Sequence, residues 1–285
     1  MILVTGGAGF IGTNLIDRLV KDKEGVILFD KKISKRTDVN IFKGDLSNEK
    51  DISFFIKNFG QVDTIIHLGA IARIHTSMKE PKKVLLNNIV STINILDYAK
   101  DFNIPVIYAG SSSKFAGVNK SPYAFSKHKG EELCKLYNKN YNLKTYICRF
   151  YNVYGKHQIE KGKYSTVIGI FEKQFRENKP LTIVGDGTQI RDFTHIDDIV
   201  DGIIKAKNMI INSKKTYLEF DFGTGVEYSI NDIANMFGAD YPKKYLKNRK
   251  GEYDYSLADN NYTKNILNWS PRKKLTNYIK NTINP

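Results

Sequence analysis

The chain has 285 residues, of which 41% are hydrophobic and 26% charged. This is close to globular averages and unlike a disordered or fibrous composition. Two cysteines, Cys134 and Cys148, exclude a disulfide framework and fit a reducing compartment. Lys and Arg outnumber Asp and Glu by 44 to 30, a formal charge of +14, which suits polyanions such as phosphorylated small molecules.

Lysines supply 36 of the basic residues and are spread along the chain, so the excess reads as a solvated surface. It lacks the arginine–aromatic pairing of a base-stacking face, and no nucleic acid is expected as partner. No apolar run approaches the ~18 residues of a membrane span. The opening MILVTGGAGF starts directly on a strand-like run and lacks the basic and apolar regions of a signal peptide. These features predict a soluble cytoplasmic protein without membrane contact.

The predicted strands are ILVT (2–5), VILFD (26–30), VNIFK (39–43), TIIHL (64–68), PVIYA (105–109), KTYICRF (144–150) and YLEFDF (217–222). Helical patterns lie between them, at about 10–23, 48–58, 82–100, 122–141, 164–178 and 195–210. Apolar strands separated by helices predict a parallel sheet covered on both faces, an α/β doubly wound fold of the Rossmann type. The rhythm loosens after residue 150. The division expected is 1–153 with 191–224 as the nucleotide domain, and 154–190 with 225–285 as a smaller C-terminal substrate-binding lobe. The ligand belongs at the carboxyl edge of the strands.

TGGAGFIG follows the first strand and opens the first helix. Gly7, Gly9 and Gly12 satisfy GxGxxG, and Gly6, Gly9 and Gly12 satisfy GxxGxxG. The first glycine permits the tight turn, the middle one lets backbone approach a pyrophosphate, and the last lets helix pack on strand. A glycine triplet alone is weak, but the strand–turn–helix context gives it meaning. The helix N-terminus at Phe10 and Ile11 then offers free N–H groups to phosphates. Asp30 ends the second strand, 18 residues past Gly12, where a carboxylate accepts the ribose hydroxyls of NAD and repels a 2′-phosphate. Lys31 and Lys32 follow it directly.

Tyr123 and Lys127 stand i, i+4 in SPYAFSKHKG and share a helix face. A phenol with a pKa near 10 is a poor base at neutral pH. An ammonium ~4 Å away, at an effective dielectric of ~20, interacts by ~4 kcal/mol and would lower that value. Their position gives the pair weight: they open the helix behind AGSSSKFAG (109–117), whose serine hydroxyls leave the fifth strand at the ligand edge.

TGGAGFIG, HLGA (67–70), SSSKFAG, YAFSK, RFYNVYG (149–155) and RDFTHIDD (191–198) come in the order and spacing of the extended short-chain dehydrogenase/reductases. The chain resembles these NAD-dependent sugar-nucleotide epimerases and dehydratases over nearly its whole length, most of all the members like UDP-glucose 4-epimerase. RKGE (249–252) and LADNNYTKNILNW (257–269) match the C-terminal lobe. The resemblance implies Tyr123 as catalytic base, Lys127 as its partner and Ser112 as the catalytic hydroxyl. It implies cofactor contacts from Asp45 and Leu46 on the adenine side, from Leu68, Gly69, Ala70 and Asn88, and from Phe150 beside the nicotinamide. Substrate contacts implied are Asn152, Thr166, Val167, Thr182, Val184, Arg191, Arg249 and Glu252. An arginine pair suits a diphosphate, because its forked donors fit phosphate oxygens. The same resemblance implies a homodimer built from the helices near 84–100 and 123–139.

The chain also departs from the pattern. Phe115-Ala116-Gly117 replaces VYG, and Ser113 and Lys114 stand where the 4,6-dehydratases carry Asp and Glu. Those acids run the elimination of water, so a dehydratase is disfavoured. Lys114 has two readings, facing a carboxylate or phosphate on the sugar or pointing to solvent, and solvent is the expectation. His67 is expected as a core or supporting residue and His195 at a helix start beside Asp197 and Asp198. No His/Cys/Asp cluster has metal-ligand spacing, so no metal is expected.

The function these features predict is an NAD-dependent nucleotide-sugar 4-epimerase, an isomerase acting on a UDP-hexose through a 4-keto sugar. A sister oxidoreductase or decarboxylase is the alternative, and a non-catalytic nucleotide- or RNA-binding protein a more distant one.

Overall fold

The computed structural model describes residues 1–160, 162 and 165–283. In chain order the elements begin β1 (Ile2–Thr5), α1 (Phe10–Lys21), β2 (Val26–Asp30), β3 (Asn40–Lys43), α2 (Glu49–Phe59), β4 (Thr64–His67), α3 (Ile74–Lys79) and α4 (Pro81–Asp101). They continue β5 (Val106–Ser111), α5 (Pro122–Tyr141), β6 (Thr145–Phe150), β7 (Val153–Tyr154), α6 (Val167–Arg176), β8 (Leu181–Val184), β9 (Ile190–Arg191), β10 (Thr194–His195) and α7 (Ile196–Asn212). The chain closes with β11 (Tyr217–Phe222), β12 (Tyr228–Ser229), α8 (Ile230–Met236), β13 (Lys243–Leu246), β14 (Tyr255–Ser256), α9 (Asn261–Leu267) and α10 (Leu275–Ile283).

The seven expected strands form one sheet in the order β11-β6-β5-β4-β1-β2-β3, and every pairing in it is parallel. This is the doubly wound order, reversing direction at β1. Alternate residues of each strand feed opposite faces. Val4, Leu28, Ile66 and Cys148 pack with Leu15, Ile16 and Leu19 of α1 and Ile199 and Ile203 of α7. Leu3, Ile27, Ile65 and Ile147 pack with Phe55 of α2, Leu96 of α4 and Cys134 of α5. Leu267 and Trp269 join the first of these cores, with the Trp269 ring edge-on to Phe222 at 5.0 Å.

A third core gathers Ile168 and Phe171 of α6, Leu181 and Ile183 of β8, Ile233 of α8 and Ile279 of α10. It is a cluster separate from the two that cover the sheet. The expected start of α6 at 164 lies outside the described residues. Among the described residues no helix is long and apolar enough to cross a membrane.

Candidate active site

Five strand ends meet at the carboxyl edge. β1 delivers Gly6, β2 Asp30, β4 the 68–70 loop, β5 Ser111 and β6 Phe150. The glycines divide their work. Gly6 takes φ +67° and lies so close to Gly69 that a Cβ would come within 2.8 Å of its Cα. A Cβ on Gly12 would fall 2.5 Å from the Gly6 carbonyl oxygen, so close turn–helix packing demands glycine there. Gly9 meets only that same oxygen, at 3.1 Å, and its other side is open for a ligand. Gly9 precedes α1 without a side-chain cap, so the first N–H groups, at Phe10, Ile11 and Gly12, have no intrahelical acceptor.

Asp30 is buried, with one oxygen accepting from the Ala8 N–H at 3.0 Å and the other from the Lys32 N–H at 2.9 Å. Each carboxylate oxygen keeps a lone pair for a further donor. Asp45 accepts from the Ser47 N–H and hydroxyl, and faces Lys31 at 3.6 Å. Those hydrogen bonds and that charge hold its pKa below the usual value against the burial that raises it. Leu46 is buried beside it, and its carbonyl accepts from Asn94.

The loop carrying Leu68, Gly69 and Ala70 is fastened on both sides. The Gly69 N–H donates to the Thr5 hydroxyl at 3.2 Å, and that hydroxyl also bonds His67 Nδ1 at 2.7 Å. Burial, reinforced by the Lys127 charge, pushes the His67 pKa down to about 3, so the ring is a neutral strut within the core. Asn88 accepts from the Ile71 N–H at 2.8 Å and donates to the Ser126 hydroxyl at 2.9 Å. It therefore ties this loop to α5, one residue before Lys127.

α5 starts at a Ser121 cap with Pro122 in its first turn, which sets Tyr123 and Lys127 at the site. Lys127 is buried, and its ammonium lies 4.1 Å from the Tyr108 ring centroid. Burial lowers its pKa to about 8, against the charge of Glu131. The Tyr123 phenol is raised by burial, while the nearby Ser111 hydroxyl and the charge of Arg73 draw it back. Arg73 is thus a cation acting on the phenol besides the Lys127 that the spacing singles out.

Ser112 is buried, in the short turn 112–114 after β5. Tyr253, buried before β14 with the Arg191 guanidinium 4.1 Å from its ring centroid, is a residue that sequence reasoning missed and that no local pattern marks. Lys114 does not point to solvent as expected. It sits 3.1 Å from Glu131 and 3.9 Å from Glu219. Buried Arg149 shares this cluster, 2.9 Å from Glu131 and 3.5 Å from Asp221, and it also pairs with Glu219. Phe150, half-buried at the end of β6, packs tilted on Phe222 at 6.3 Å between ring centroids.

On the substrate side, several predicted contacts already hold partners within the chain. Asn152 donates to the Asp192 carbonyl at 2.8 Å. Thr166 caps α6 through the Gly169 N–H and donates to Gln158. The Thr182 hydroxyl accepts from Gln174. Val167 and Val184 are half-buried. Arg191 is buried, with donors on the carbonyls of Ile190 and Tyr253 and its charge 3.7 Å from Glu252. Arg249 and Glu252 are exposed on the loop before β14. His195 caps α7, with Asp197 and Asp198 in that helix's first turn. Among the described residues no group of three or more His, Cys, Asp or Glu is placed to hold a metal ion.

A Rossmann sheet with a glycine turn, a half-buried Tyr123 and buried Lys127 on one helix and a serine turn at one edge defines a nucleotide-cofactor enzyme of the short-chain dehydrogenase class. The NAD-dependent epimerase/dehydratase family model matches residues 2–217, and the chain belongs to that family, whose cofactor is NAD. It is 32% identical over 315 residues to UDP-glucuronate 4-epimerase of Thermodesulfobacterium geofontis, covering 99% of this chain and 94% of that one. UDP-glucose 4-epimerase of Thermotoga maritima, solved with UDP-glucose, superposes with a TM-score of 0.90 at 26% identity, over 99% of this chain and 97% of that one. UDP-glucuronic acid 4-epimerase of Bacillus cereus, solved with UDP-glucuronic acid and NAD, gives 0.86 at 29% identity, over 99% and 98%.

Proposed function

We propose that this protein is an isomerase, an NAD-dependent nucleotide-sugar 4-epimerase that takes a UDP-hexose through a 4-keto sugar. The observation that supports the reading is that the start of α5, which carries Tyr123 and Lys127, packs against the 112–114 turn, which carries Ser112, beside the carboxyl ends of the strands that also bear the glycine turn. The open side of Gly9 and the free N–H groups of α1 fit a pyrophosphate, and buried Asp30 fits a ribose diol. NAD supplies hydride acceptance and return at C4 of the sugar.

The chain's own residues do the rest. Tyr123 takes the proton of the 4-hydroxyl and later gives it back. Ser111 and Arg73 stabilise its ionised form against the burial that opposes it. Ser112 donates a hydrogen bond to O4. Lys127 holds the ribose side of the cofactor, and the 68–70 loop and Phe150 line its channel. Arg249, exposed and cationic, reaches for the diphosphate, with Arg191 beside it once Arg191 turns a donor from the Tyr253 carbonyl. A firm hold on the nucleotide leaves the 4-keto hexose free to turn and present its other face. Residues 154–190 and 225–285 act as the substrate lobe, with Thr166, Val167, Thr182 and Val184 toward the sugar nucleotide.

A 4,6-dehydratase is disfavoured, because Ser113 and Lys114 offer no acid and Lys114 is engaged by Glu131. Exposed Leu86 on α4 and Leu136 on α5, on two helices packed together, support a homodimer through that face. The experiment is incubation with UDP-, GDP- and dTDP-sugars and separation of the products. A C4 epimer from a UDP-hexose supports the reading, whereas a net oxidised or decarboxylated sugar would replace it with the sister oxidoreductase.

A further inference from the structure

Lys114 and Ser112 share one short turn, and the lysine is fastened to the helix that carries Tyr123. Its ammonium lies 3.1 Å from Glu131 of α5 and 3.9 Å from Glu219 of β11. Tyr123, Lys127 and Glu131 stand at successive four-residue steps of α5, a single stripe of that helix. Glu131 is itself fixed. Arg149 of β6 donates to it from Nε at 3.0 and 3.1 Å and from Nη2 at 2.9 Å, and both side chains are buried. Gly110, two residues before Ser112, makes room for that pair: a Cβ there would come 2.7 Å from the Arg149 Cγ and 2.7 Å from a Glu131 oxygen. The turn also has bonds of its own. The Phe115 N–H donates to the Ser112 carbonyl at 3.0 Å, and the Gly117 N–H to the Lys114 carbonyl at 3.3 Å. Lys114 is the one charged side chain in the turn, which packs on α5.

We propose that Lys114 is a positioning residue: its ion pair with Glu131 fixes the turn carrying Ser112 against the α5 stripe that carries Tyr123 and Lys127. For its catalytic part the inference rests on the epimerase reading. A hydroxyl and a phenol that serve one reacting oxygen must keep their spacing, and a misplacement of ~1 Å can cost about 10²-fold in rate. The two groups come from different elements, so the spacing depends on what joins the turn to the helix. Glu131, Glu219 and Asp221 face the two cations Lys114 and Arg149. Without the lysine, one arginine is left to three carboxylates. Breaking one partner out of a buried ionic cluster leaves charge uncompensated, so the cluster holds the lysine, and the lysine holds the turn.

Lys114→Met keeps the reach of the side chain and removes its charge, whereas Lys114→Arg keeps the charge. The first measurement is amide hydrogen exchange of the protein without substrate. In Lys114→Met, the Phe115 and Gly117 amides should exchange about tenfold faster or more, the worth of one charge-assisted hydrogen bond lost from the turn. The Cys134 amide within α5 should stay within about twofold, and Lys114→Arg should keep the two turn amides within about threefold of wild type. The second measurement is turnover of the UDP-hexose that wild type epimerises. Lys114→Met should lower kcat about 10-fold, with KM and the Kd for NAD within about twofold, and Lys114→Arg should restore kcat to within about threefold. Should Lys114→Met not fold, Lys114→Gln is read in the same way. Unchanged exchange at Phe115 and Gly117 overturns the tie itself. Faster exchange with kcat unaltered, a loss that Lys114→Arg does not relieve, or a rise confined to KM overturns the positioning role. If wild type inverts no sugar, the epimerase reading fails and the catalytic part of this inference falls with it, while the exchange measurement still judges the tie.

Discussion

Lys127 rests on the face of Tyr108, its ammonium 4.1 Å from the ring centroid. The phenol end of Tyr108 runs under α5, donating to the Lys127 carbonyl at 3.3 Å, and only a glycine at 130 leaves room for it. This aromatic seat is a poor substitute for water, and burial brings the Lys127 pKa from its ordinary 10.5 to about 8.

That displacement has a sign for stability. Below pH 8 the folded and unfolded chains both carry the charge, and the fold bears the full desolvation cost, up to about 3 kcal/mol. Between about 8 and 10.5 the folded chain has released the proton while the unfolded chain still holds it, so the cost fades. Lys127→Met should therefore stabilise the cofactor-free protein at pH 7, and the gain should shrink across that window. Urea unfolding at pH 7 and pH 10 checks it; a gain independent of pH would reject the assignment.

Tyr123→Phe should retain the fold and cofactor binding and lose about 10²–10⁴-fold in turnover, the usual worth of a positioned acid–base group. The phenol does its work at the substrate proton and makes no long-range structural bond among the described residues. Turnover within threefold of wild type would remove Tyr123 from the mechanism.

Asn88→Ala should harm both stability and cofactor affinity. Its side chain satisfies the Ile71 N–H and the Ser126 hydroxyl, both deep in the chain. Leaving buried groups unpaired costs about 1–3 kcal/mol. The 68–70 loop would lose its tie to α5, so NAD should bind several-fold more weakly. Chemical unfolding together with an NAD titration measures the pair of effects, and unchanged NAD affinity would limit Asn88 to packing.

Much of this was legible from residues. The strands alternate between two cores and so carry a strong apolar signal, and the glycine turn announces itself by spacing. α3 escaped notice because IHTSMK is six residues long and buries only Thr76 and Ser77. Lys114 was misjudged because its partners, Glu131 and Glu219, lie far along the chain, and only the sheet order brings β11 beside β6. Tyr253 was illegible for the same reason: it meets Arg191 through the pairing of β14 with β9, which no local pattern encodes.

Asp30→Ala should weaken NAD and shift preference toward NADP by about 10-fold or more, the worth of charge-assisted bonds to a ribose diol. Lys31 and Lys32, both exposed next to it, would then face a 2′-phosphate without an opposing carboxylate. Comparative titration with both cofactors decides this, and a wild-type preference for NADP would contradict the role given to Asp30.

The central claim is that hydride leaves and returns to the same carbon. The most direct measurement uses a UDP-hexose carrying deuterium at C4, with the products followed by NMR. The account predicts interconversion of the two C4 epimers with the deuterium retained at C4 in both and no net accumulation of reduced cofactor. Loss of deuterium from C4 into a reduced cofactor that accumulates, or no inversion at C4 at all, would contradict it.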